Sequence, residues 1–214
     1  MDKRWRHFSH EFQRMIMTSQ VEFFFDVGSP ASYLAWTQLP KLCADAGAEL
    51  KLRPMLLGGV FQATGNASPV TVPAKGAYTF IDFARHAKRY GVTLIRNPHF
   101  PINTLMLMRA ITGAQMHAPE REAVLIDAIF KAIWTEQLNM NDPEVASVAL
   151  ANAGFPAGLI ASWIGDAAVK ARPKETTDEA IARGVFGAPT MFVGDEMFFG
   201  QDRLEWVREA LAAA

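Results

Sequence analysis

Apolar and polar positions follow two textures along the chain. Residues 21–27, VEFFFDV, form a short aromatic-rich apolar run stopped by Gly28, which predicts a buried strand. From Pro30 to about Ala46, Leu34, Leu39, Leu42 and Cys43 recur near the 3.6 period, so the spacing predicts one helix closed by Gly47. Residues 48–56, AELKLRPML, alternate through Leu50 and Leu52 and predict a second strand. Strand, helix, strand in that order predicts a parallel pair joined by a helical crossover. Residues 56–78 are dense in Gly, Pro, Ser, Thr and Asn and read as a long loop. The next stretch is helical by pattern, over Thr79–Tyr90, Thr104–Met116, Pro119–Thr135, Pro143–Ala153, Ala157–Val169 and Lys174–Arg183. Residues 188–200, APTMFVGDEMFFG, read as two strands joined by a Gly-Asp turn. The chain closes on an amphipathic helix with Leu204, Val207, Ala210 and Leu211 on one face.

Composition narrows the function classes. The 214 residues suffice for one large domain or for one domain carrying an insertion. Half are hydrophobic, a fifth are charged, and the net charge is −1, with no Lys/Arg cluster of the kind a nucleic-acid face needs. No apolar stretch approaches the ~20 residues of a membrane helix, so no membrane partner is expected. The single cysteine, Cys43, rules out an internal disulfide and fits a reducing, cytoplasmic setting. Its core-like spacing makes it a small buried hydrophobe. Residues 1–19 read as an N-terminal extension without a secretory h-region, and Met17 opens MTSQVEFFFDV like a natural start. His7 and His10 lie three apart but have no third ligand, so no metal is expected.

The layout is β-α-β, a helical stretch, then β-β-α. That is the α/β plan of the thioredoxin fold: a mixed four-stranded sheet, here with an inserted all-helical domain. The sheet domain is expected over 20–64 and 184–214, and the insertion over 65–183. In this plan the turn after the first strand is the active turn, at a helix N-terminus that favours an anion. Redox members carry Cys-x-x-Cys there. This chain has Ser29-Pro30-Ala31-Ser32, so it cannot itself exchange disulfides. Ser29 before Pro30 is also a good helix cap, and capping alone would account for it. Pro189 enters the hairpin where the plan places a cis proline facing the active turn, leaving the Ala188 backbone to pair with a bound peptide. Asp202 either caps the last helix or binds an ammonium. His86, His99 and His117 have no Ser or Cys partner at recognisable spacing, which gives no hydrolase triad.

Taken together, FFFDVGSPASYLA, LRPMLLGGVFQATGN, VPAKGAY and GVFGAPTMFVGDEMFFGQDRLEWV resemble the kappa-class glutathione transferases. They resemble the 2-hydroxychromene-2-carboxylate isomerases more closely, over roughly residues 20–213. The resemblance implies glutathione as cofactor, a small aromatic substrate and a homodimer. It implies that Ser29 hydrogen-bonds the glutathione sulfur, flanked by Pro30 and Ala31. Asn66 would contact glutathione, Ala188 beside Pro189 would pair with its cysteinyl backbone, and Gln201 and Asp202 would hold the γ-glutamyl group. Two positions depart from the family: Gln201 stands where transferases often have serine, and Ala31 where the family often has an aromatic. Lys75 is the first candidate for the substrate carboxylate, although a solvated loop lysine accounts for it at least as well, and Arg53 is the second, although an arginine at a strand end is more often a structural partner. The rivals are a conjugating kappa-type transferase, a non-catalytic glutathione- or peptide-binding module and, weakest, a disulfide oxidoreductase.

Overall fold

The computed structural model describes residues 19–213, so His7, His10 and most of the expected extension lie outside the described residues. Four strands form one mixed sheet in the order β2-β1-β3-β4: β1 (Gln20–Phe25), β2 (Glu49–Pro54), β3 (Thr190–Val193) and β4 (Glu196–Phe199). β1 pairs parallel with β2 and antiparallel with β3, with Phe24 opposite Arg53 on one side and Thr190 on the other. The expected thioredoxin-like sheet is therefore present, and its hairpin turns at Gly194, where φ is +58°.

The three phenylalanines of β1 serve both faces, as period-2 alternation requires. Phe23 and Phe25 stack at 4.9 Å on one face, while Phe24 meets Phe192 edge-on at 5.7 Å on the other. The first face packs on α1 (Pro30–Trp36), α2 (Leu39–Ala46), α6 (Glu122–Trp134) and α10 (Leu204–Ala213), through Tyr33, Leu42, Phe130 and Val207. The second packs on α3 (Leu57–Thr64) and α9 (Ala167–Ala182), through Val60 and Ala180. Between them in sequence lie α4 (Pro73–Tyr90), α5 (Leu105–His117), α7 (Pro143–Asn152) and α8 (Ala157–Gly165). Helices from the middle of the chain share the core of the sheet: Phe130 lies 6.2 Å from Phe25, and the Trp134 Nε1–H donates to the Val27 carbonyl at 2.9 Å.

Three expected boundaries are corrected. The helix expected over 30–46 is two helices, because Pro40 has no N–H to give the preceding turn; it sits instead in the first turn of α2. Within the expected 56–78 loop, α3 forms despite Gly58 and Gly59. Its first amides are capped from elsewhere in the fold: Leu56 N–H donates to Thr177 Oγ1 at 2.8 Å and Leu57 N–H to Asp26 Oδ2 at 2.9 Å. Gly59 is what lets α3 approach α9, since a Cβ there would lie 3.2 Å from Thr177 Cγ2. The later break falls at Asp166, whose side chain caps α9 through the Ala168 N–H, and α9 runs on through Pro173.

Arg53 is the structural arginine of the two readings given for it. It donates to Glu22 at 2.7 Å, pairs with Glu179 and lies over the Phe24 ring, while Arg183 also reaches Glu22 at 2.7 Å. Replacing Arg53 with Met leaves Glu22, in a mostly buried site, with Arg183 at 2.7 Å and the more distant Lys51 at 3.8 Å. The expected loss is about 1–3 kcal/mol in urea unfolding, and an unchanged midpoint would contradict this role.

Glu122 gives a pH signature. Burial pushes its carboxyl up from the ordinary 4.5 to about 7, against the pull of the Gln115 amide. The folded chain therefore keeps this proton in a range where the unfolded chain has lost it. Stability contributed by this group falls as pH rises from about 4.5 to about 7 and is level above that. Glu122→Gln is expected to flatten this part of the melting-temperature profile and to be the more stable form near pH ~8. Parallel profiles for the two proteins would contradict it.

Candidate active site

The C-terminal end of β1 opens into the turn 26–29. Ser29 N–H closes on the Asp26 carbonyl at 3.0 Å, and Ser29 then caps α1 with its Oγ accepting the Ser32 N–H at 3.1 Å. The capping reading is thus correct, but it uses only part of the hydroxyl. The same Oγ donates to the Ala188 carbonyl at 3.1 Å, across the molecule to the loop before β3. The Ala188–Pro189 bond is cis. Because α1 has seven residues, not the seventeen expected, the dipole behind Ser29 is short, and the hydroxyl and the facing peptide matter more.

A cavity of about 470 Å³ lies over this meeting point. The structure brings to it Ser29, Pro30, Ala31, Asn66, Ala188, Gln201 and Asp202. Pro189 is buried next to Ala188, immediately behind the wall. The Asn66 side chain bridges two loops, its Nδ2 donating to the Phe186 carbonyl and its Oδ1 accepting the Ala67 N–H, both at 2.8 Å. Gln201 is buried, and its carbonyl accepts the Tyr90 hydroxyl at 2.7 Å. Asp202 is exposed and paired with the Arg203 guanidinium.

Two expected residues are not brought there. Arg53 is held by Glu22 and Glu179, as described above, and lies outside the lining residues. Lys75 is exposed in the first turn of α4 and does not line the cavity, although Thr79 and Phe80, a turn further on, do. Arg203 is the cation among the lining residues. Cys43 is remote and buried, and burial pushes its thiol up to about 11, so it supplies no thiolate.

The sequence reading missed the cavity's aromatic wall. Phe61 of α3, Phe80 and Phe83 of α4, Phe100, and the Phe186–Phe199 pair at 4.5 Å line it. Phe80 and Phe83 sit three apart on one helix and so share a face, a signal legible in advance. The others come from separate segments that only the fold unites. Gly187 is needed for the last pair, because a Cβ there would lie 2.8 Å from the Phe199 ring. The arrangement is a largely apolar, ring-sized space with the Ser29 hydroxyl, a facing peptide and an opposed charge pair at its edge. It can hold a peptide-like ligand by its backbone and present a second, aromatic molecule to it.

Comparison with known proteins gives the family. Residues 20–212 match the family described as the DSBA-like thioredoxin domain. The chain is 32% identical over 193 residues to a 2-hydroxychromene-2-carboxylate isomerase of Pseudomonas putida, covering 89% of this chain and 93% of that one. It is 30% identical over 210 residues to human glutathione S-transferase kappa 1, covering 89% and 90%. A solved 2-hydroxychromene-2-carboxylate isomerase superposes with a TM-score of 0.80 at 31% identity, covering 91% of this chain and 95% of that one. The chain belongs to the DSBA-like thioredoxin-domain family and, within it, to the 2-hydroxychromene-2-carboxylate isomerases.

Proposed function

We propose that the protein is a glutathione-dependent cis–trans isomerase acting on 2-hydroxychromene-2-carboxylate and giving trans-o-hydroxybenzylidenepyruvate. The observation that carries the proposal is the Ser29 hydroxyl, held between its own helix and the Ala188 carbonyl at the floor of an aromatic-walled cavity. The scaffold lacks the thiols its fold uses elsewhere, and glutathione would bring one. A cysteinyl N–H of the tripeptide would take the Ala188 carbonyl, which frees the Ser29 proton for the sulfur. The Asp202–Arg203 pair offers a carboxylate and a guanidinium to the ammonium and carboxylate of the γ-glutamyl end.

In the proposed reaction the hemiketal ring opens to a cis-alkene conjugated with a ketone. The thiolate forms a C–S bond at the β-carbon, and the alkene electrons move to the ketone oxygen as an enolate. The former double bond is now single and rotates. The enolate then collapses, the C–S bond breaks, and the trans-alkene and thiolate are released. Glutathione is regenerated, so it acts as a nucleophilic catalyst. The protein's part is to stabilise the thiolate and hold the alkene at attack distance. The same reading carries a cytoplasmic location, where thiols stay reduced, and a homodimer.

The test is ultraviolet absorbance of 2-hydroxychromene-2-carboxylate with the protein, with and without glutathione, beside Ser29→Ala. The expected result is conversion that requires glutathione and falls by about 100-fold in the variant, the scale of losing one stabilising donor. Glutathione binding without conversion, but with stable conjugates formed from another electrophile, would move the assignment to a kappa-type transferase.

A further inference from the structure

β1 ends in a buried acid that the chemistry above does not use. Asp26 is 3% exposed and lies outside the lining of the cavity. Its Oδ1 accepts the Gly28 N–H and its Oδ2 accepts the Leu57 N–H, both at 2.9 Å, and the Thr104 hydroxyl lies near enough to favour the charged form. Gly28 belongs to the turn that presents Ser29. Leu57 opens α3, which carries Phe61 into the aromatic wall. One side chain therefore bonds to two walls of the cavity that are far apart in sequence.

The demand on this side chain is specific. Two N–H groups converge on the two oxygens of one group, so both oxygens must accept; an amide has one acceptor and would point its NH₂ at an N–H. Keeping the acid also works against stability. Burial pushes the Asp26 carboxyl above its ordinary range, against the pull of the Gly28 and Leu57 N–H groups and the Thr104 hydroxyl. An apolar residue at this place would leave the Gly28 and Leu57 N–H groups unpaired, so the post needs an acceptor on each side.

We infer that Asp26 is a positioning residue for the proposed reaction. Its carboxylate fixes the Ser29 turn, where the thiol sits, relative to the α3 wall, against which the ring of the electrophile lies. The inference rests on the proposed glutathione chemistry. Thiolate addition needs its atoms aligned at about 3–3.5 Å, so a shift of about 1 Å between these walls costs roughly 100-fold.

The experiment compares Asp26→Asn and Thr104→Val, each in the wild-type and the Ser29→Ala backgrounds, by kcat and by KM for glutathione. In the wild-type background Asp26→Asn is expected to lower kcat roughly 10- to 100-fold, with KM for glutathione within about threefold, because the γ-glutamyl contacts are untouched. In the Ser29→Ala background the same change is expected to cost less than about threefold, since there is no longer a placed hydroxyl to misplace. Thr104→Val, which keeps the methyl that packs on Gly28, is expected to repeat the pattern at smaller scale and decides the matter if Asp26→Asn does not fold. Equal losses in both backgrounds, or losses confined to KM, would overturn the inference while leaving the isomerase reading intact. Absence of glutathione-dependent turnover in the wild-type protein would overturn both.

Discussion

β1 is paired on both edges and its three phenylalanines are buried on both faces, so the strand meets the cavity only through the turn that follows its C-terminal end. Everything that makes the site follows from this constraint. Phe23, Phe24 and Phe25 fill the cores on either side and fix the register of β2 and β3 around them. The Trp134 indole holds the Val27 carbonyl from α6, so the strand cannot slide as it exits. What emerges is a short turn held through the Asp26 and Val27 carbonyls and the Gly28 and Ser29 N–H groups. Ser29 stands at its tip, 159 residues in sequence from the carbonyl it meets.

The contact between Ser29 and Ala188 explains how a disulfide-exchange scaffold serves a chain without active-site cysteines. The fold still brings together a helix start and the peptide before a proline-led strand. In redox members the reactive sulfur is part of the chain. Here the turn holds a hydroxyl, which takes no part in thiol exchange; in the proposed reaction it would stabilise a thiolate brought from outside. A carbonyl at 3.1 Å keeps that hydroxyl oriented, and in the proposed complex a peptide N–H would take its place. The aromatic wall is the second half of the same design, apolar enough to prefer a ring over water.

Much of this was legible in the sequence, where local pattern and fold agree. The strand 21–27, the Gly-Asp hairpin and the terminal helix all carry strong periodicity with their own turn residues. Their ends place Ser29, Ala188, Gln201 and Asp202 around one cavity. The illegible parts are those decided by tertiary contacts. Gly58 and Gly59 read as loop residues, yet α3 forms because Thr177 and Asp26 cap it and because a glycine lets it lie against α9. Arg53 has the charge a substrate carboxylate wants, but its position opposite Phe24 on the covered face leaves it to Glu22 and Glu179. The phenylalanines of the wall are scattered from 61 to 199, and no local window unites them.

The most direct test of Ser29 as the holder of a thiolate is the ultraviolet thiolate band of protein-bound glutathione followed against pH. The bound thiol is expected to titrate at least about one unit below the ~8.5 of a free cysteine side chain. With Ser29 replaced by alanine it is expected to return toward that value. A bound thiol that titrates at the free value in the wild-type protein would contradict the role given to this turn.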